Sequence, residues 1–117
     1  MKMQMKSFGD PGILSDERIG FEVTSDCDLK FFAIHRTFLS GNGFHNKPKS
    51  TYWFGPLSVK AGDKVVLYTK FGIDSMKKGD DGTTIYFFYW GLSESILNHE
   101  KDGIVLAEMA SWQTKWI

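Results

Sequence analysis

The chain has 117 residues, 42% hydrophobic and 15% aromatic, enough for one ordinary domain with a real core, which excludes a disordered chain. Fourteen basic side chains balance fourteen acidic ones, so net charge selects no partner class, and the lone cysteine, Cys27, excludes an internal disulfide. No segment approaches the ~20 apolar residues of a membrane span, and "MKMQMK" meets "SFGDPG" with no signal-peptide core; the expectation is a soluble chain, cytoplasmic by default, with no membrane partner.

Residues 1–16 carry Gly9, Asp10, Pro11, Gly12 and Ser15 without a clean period, which reads as an arm or a loosely tied first element before a single domain over 17–117. "RIGFEVT" then alternates Ile19, Phe21 and Val23 with polar or small residues, the pattern of a strand with one wet face. "SDCD" is turn chemistry, and "LKFFAIH" predicts a second strand, apolar on both faces. "SGNG" forces a turn. A polar stretch with Pro48 leads to "TYWF", and "GPLSVKAGD" is punctuated by Gly55, Pro56 and Gly62. "KVVLYTK", β-branched inside and flanked by lysines, is the clearest strand. Residues 72–84 read as a polar loop, "SESILNHEKD" as another with one helical turn at most, and "GIVLAEM" as a strand. "SWQTKWI" predicts a final strand that docks, or a homomeric contact, because large apolar residues are unusual at such positions.

Between the last two loops lies "TTIYFFYWGL", six large apolar residues from Ile85 to Trp90. An unbroken run bounded by threonines and a glycine predicts a core strand covered on both faces, since an aromatic binding platform would alternate with polar or basic residues. Short strands joined by turns, with no 3.6-residue period, predict an all-β antiparallel sandwich or barrel of about seven short strands.

Three blocks in order, "LSVKAGDKVVLYTKFG", "FFYWG" and "SESILNHEKDGIVLAEM", together resemble the lamin-tail-like domain. "LSVKAGDKVVLYTKFG" is similar to that family's turn and valine-rich strand, and "FFYWG" to its aromatic strand ending in Trp-Gly. "SESILNHEKDGIVLAEM" is similar to its loop of Ser, apolar anchor, Asn and strand-opening Asp, here Ser95, Leu97, Asn98 and Asp102. The chain departs from the family where Phe32, Ala33 and Ile34 replace a Gly-Trp, where Leu97 and His99 replace Trp and Asn, and in a charged insert at 77–81. The resemblance implies an immunoglobulin-like antiparallel β-sandwich and a non-catalytic module that contacts proteins or nucleic acid.

Chemistry-bearing residues are sparse. Cys27 lies in a turn, and His35, His45 and His99 lack metal-ligand spacing, so neither nucleophilic catalysis nor a zinc site is expected. Asp74, Ser75, Asp80 and Asp81 share one loop, but Lys77 and Lys78 stand among them and the spacing is not that of a calcium loop. "GNG" at 41–43 precedes no helix that could aim at a phosphate. The expectation is a chain without enzyme activity, metal or cofactor.

Charge is distributed unevenly. Between Leu29 and Lys78 stand nine basic residues and two acidic ones, so this segment is formally +7 and the remainder −7. The first functional expectation is a binding module whose partner is a protein, contacted through loops or an edge strand. The alternative is a binder of nucleic acid or another polyanion without sequence preference, through Lys47, Lys49, Tyr52, Trp53, Lys64 and Lys70.

Overall fold

Residues 1–98 and 100–117 are described by a computed structural model. The described residues form eleven strands: β1 (Met3–Gly9), β2 (Arg18–Val23), β3 (Cys27–Asp28), β4 (Phe32–Ser40), β5 (Gly43–Phe44), β6 (Ser50–Trp53), β7 (Ser58–Val59), β8 (Lys64–Tyr68), β9 (Ser75–Lys78), β10 (Thr84–Tyr89) and β11 (Asp102–Glu108). Three of them, β3, β5 and β7, are two-residue pieces, which leaves eight of ordinary length against the seven expected. A 3₁₀ turn, Leu29–Phe31, precedes β4.

The fold is an all-β sandwich. One large sheet has the order β1-β2-β8-β10-β9; a second has β4 between β11 on one side and β5 and β6 on the other, and β3 and β7 make a small third. Seven of the eight pairings among the described residues are antiparallel; β8 and β10 run parallel, in register from Lys64–Ile85 to Tyr68–Tyr89. β9 lies outside β10, so the chain leaves β8, passes to the sheet edge and returns between the two.

Alternation builds the core. Ile19, Phe21 and Val23 of β2, Val65 and Leu67 of β8, and Phe32 and Ile34 of β4 are buried together with Met3, Leu29, Phe54 and Val59. Phe54, 2% exposed, joins the sheets: its ring meets Phe21, Tyr52 and Phe88 edge-on at 6.2, 5.0 and 5.2 Å. Edge-to-face contact is the favoured geometry for aromatic rings.

Five expectations are corrected. The first segment, expected as an arm or a loosely tied first element, holds a sheet strand: β1 pairs with β2 in six register positions and Met3 is fully buried, because Met3 and Met5 alternate with polar residues ahead of a bulge near Lys6. The stretch 72–84, expected as a polar loop, contains β9, whose "SMKK" has no strand pattern of its own and is held by its ladder to β10. Residues 111–117 form no strand. The run Ile85–Trp90 has neighbours on both sides within the sheet but is covered on one face only. Tyr86, Phe88 and Trp90 pack against the core, whereas Ile85, Phe87 and Tyr89 face outward, half-buried beside Lys64, Val66 and Tyr68. Three consecutive inward positions are also unavailable to "LKFFAIH", so its first residues become the 3₁₀ turn and the strand extends to Ser40.

Candidate functional site

The six residues expected to meet a polyanion are divided between the two sheets. Lys64 and Lys70 belong to the five-stranded sheet; the Lys70 ammonium lies 5.1 Å from the Tyr68 ring, which stacks on Tyr89 at 5.4 Å and 11°. Lys47, Lys49, Tyr52 and Trp53 surround β6 in the other sheet. The Lys49 ammonium sits 5.4 Å from the Phe38 ring, and the Lys47 N–H donates to His45 Nδ1 at 3.2 Å. Tyr52 faces the core rather than solvent: its ring lies 6.1 Å from Trp90, and burial, then the charge of Asp74, pushes its hydroxyl pKa up to about 12. Trp53 points outward, and its Nε1–H donates to the Lys30 carbonyl at 2.7 Å. Lysines that sit on both faces of a sandwich do not sum into one basic surface.

Several acidic residues bind backbone instead. Glu17, fully buried, accepts hydrogen bonds from the Thr69 hydroxyl (2.7 Å) and from the N–H groups of Gly12, Ile96 and Leu97 (3.0, 3.0 and 2.9 Å). Burial pushes this carboxyl up, but the four hydrogen bonds together outweigh burial and hold it below its ordinary value. Asp63 accepts from the N–H groups of Lys60 and Thr84, both at 2.9 Å, and Gly62, at φ 94°, makes the tight turn that brings them together. Asp28 accepts from Lys30 and Leu57, and Asp81 from Thr83. Asp74 and Asp81 stand at opposite ends of β9, and no cluster of three metal-ligating side chains occurs among the described residues.

Cys27 lines a groove of about 300 Å³ with Lys2, Asp28, Phe31, Phe32 and Glu108. Burial, then the Glu108 carboxylate, pushes its thiol up, so the reactive thiolate is disfavoured. His35 Nδ1 is 2.9 Å from the Thr51 hydroxyl and His45 stacks on Phe38 at 4.6 Å. His99 lies outside the described residues.

Two exposed apolar surfaces remain. The first surrounds β9, a free sheet edge exposed at all four positions. Phe71, Ile73 and Met76 there are 72%, 88% and 56% exposed, where large apolar side chains ordinarily hide. Met76 pairs with the inward-facing Tyr86, so the core-side face of the sheet lies open at this edge. Gly72 lets the preceding loop lie against Tyr89, since a Cβ there would collide with that ring. The second surface is the outward face of the four-stranded sheet, described below. Neither was foreseen from sequence; the legible signal for the first was two large apolar residues, Phe71 and Ile73, in an otherwise polar, glycine-marked loop. Comparison with protein-family models, with curated proteins and with solved structures gives no match.

Proposed function

We propose that this chain is a non-enzymatic interaction module that binds an extended segment of a protein partner along β9. The observation that carries this reading is the conjunction at one edge: an unpaired strand with Phe71, Ile73 and Met76 exposed beside it. A free edge offers a row of backbone donors and acceptors that a partner strand can satisfy, and neighbouring apolar side chains give the added strand its specificity. Lys77 and Lys78 on the same strand favour an acidic partner segment and oppose self-pairing of two copies at this edge.

The same reading keeps the resemblance to the lamin-tail-like domain and its immunoglobulin-like sandwich. In support, each resembling block coincides with one structural unit: the first with β7, its turn and β8, the second with the end of β10, and the third with the approach to β11. Nucleic acid or another polyanion is the weaker reading, because the basic segment is divided between two sheets.

The test is a selection of extended peptides on the purified chain, followed by chemical-shift mapping and calorimetry. Shifts concentrated on residues 71–78, and binding lost in Ile73→Ser with Met76→Ser, are expected. Peptides that bind the double variant equally, or shifts centred elsewhere, would sink the proposal. Oligonucleotide titration at low and high salt addresses the other reading, since phosphate binding weakens steeply with salt.

A further inference from the structure

The outward face of the four-stranded sheet carries a row of small residues walled by aromatics. In register across it stand Trp53 (β6), Ala33 (β4) and Ala107 (β11), then Thr51, His35 and Val105. The segment after β11 already covers one end. Met109 N–H donates to the Phe31 carbonyl at 2.7 Å, and Trp112 packs on Trp53 at 5.1 Å and on Phe31 at 5.5 Å. Under this cover Ala33, an outward-facing residue, is only 4% exposed.

The other end is open. A groove of about 260 Å³, lined by His35, Thr37, Phe44, Pro48, Val105 and Ala107, continues from the Trp53 row without a lysine, arginine or carboxylate in its lining. Its size falls below the ~300–1,000 Å³ of small-molecule sites and suits one large side chain. Phe44, 60% exposed, and its register partner Leu39, 55% exposed, form a hairpin at the far wall. Four residues beyond the seated Trp112 stands Trp116, 87% exposed.

We propose that Trp116 enters this groove on a second copy of the chain. Trp112 shows that this face accepts an indole from this segment. The chain crosses the Phe31 end of β4, away from the groove, and by itself leaves both the groove and Trp116 open. A two-fold exchange fills two grooves with two indoles at once and closes the assembly at a dimer. Each indole buries about 150–250 Å², so the pair of contacts, with the Leu39–Phe44 hairpins alongside, lies below the ~1,200 Å² of a standard interface. The dimer is therefore weak and concentration-dependent. This surface is independent of β9.

Light scattering and sedimentation across ~10 µM to ~1 mM test the exchange. A rising dimer fraction is expected, weakened by about tenfold or more in Trp116→Ala and in Phe44→Ala. Both side chains are exposed, so neither change threatens the fold. Ile73→Ser, on the other sheet, should leave the dimer intact. A chain monomeric throughout overturns the proposal, as does a dimer indifferent to either variant. Shielding of Trp116 from acrylamide at every concentration in a monomer would mean that the segment closes on its own groove, and also overturns it.

Discussion

Glu17 shows how one side chain can hold three distant segments. Its carboxylate joins the loop after β1, the threonine that follows β8, and the chain at Ile96–Leu97. Removing it strands buried N–H groups at roughly 1–3 kcal/mol each, so Glu17→Ala should cost about 2–4 kcal/mol in chemical denaturation. The same bonds make stability depend on pH. The folded pKa lies below the ordinary 4.5, so the contribution is complete above that value and is lost as pH falls through the folded one. Wild type should therefore lose its advantage over Glu17→Gln as pH falls below the ordinary 4.5 and through the lowered folded pKa, measured by urea unfolding at each pH. A constant gap between the two would contradict this role.

β10 displays at the scale of one element what pairing does to a uniform sequence. Its residues are all large and apolar, yet a strand presents them alternately to two environments. Phe88 faces Phe54 across the sandwich and Phe87 faces outward, so Phe88→Ala should cost about 3 kcal/mol and Phe87→Ala roughly 1 kcal/mol by thermal unfolding. Equal losses would mean that both faces are covered after all. Phe54→Ala, which removes the ring touching three others, should exceed both at about 3–5 kcal/mol. Gly72→Ala would push the loop off Tyr89 and disturb the Tyr68–Tyr89 stack, an effect readable in the aromatic circular dichroism.

Over the whole molecule, the two ends of the chain differ in what they hold. β1 closes one edge of the five-stranded sheet and buries Met3, and Lys2 N–H donates to Glu108 Oε1 across the sandwich at 3.0 Å. Deleting residues 1–9 should lower stability by several kcal/mol, the combined loss of a buried Met and a strand's hydrogen bonds. Deleting residues 113–117 touches no buried side chain and should leave the unfolding midpoint of the monomer nearly unchanged while abolishing dimerisation. A destabilised monomer after the second deletion would show that those residues belong to the fold instead.

The sequence by itself determined the all-β class, most strand positions and the turns, because period-two patterns and glycine-bearing turns are local properties of the backbone. Arg18–Val23 and Lys64–Tyr68 were legible for that reason. Only the tertiary structure decided that β8 and β10 run parallel, that "SMKK" is a strand, and which half of Ile85–Trp90 is inside. Each of those facts depends on a partner strand or an opposing sheet, and neither leaves a mark in the local pattern. The same limit applied to the expected site. Lys47 and Lys64 belong to one basic segment, but a sandwich turns successive strands onto opposite sheets, so charge contiguous along the chain became charge divided between two sheets, while Phe71 and Ile73, whose size stood out in a polar loop, joined Met76 at an open edge that only the strand order reveals.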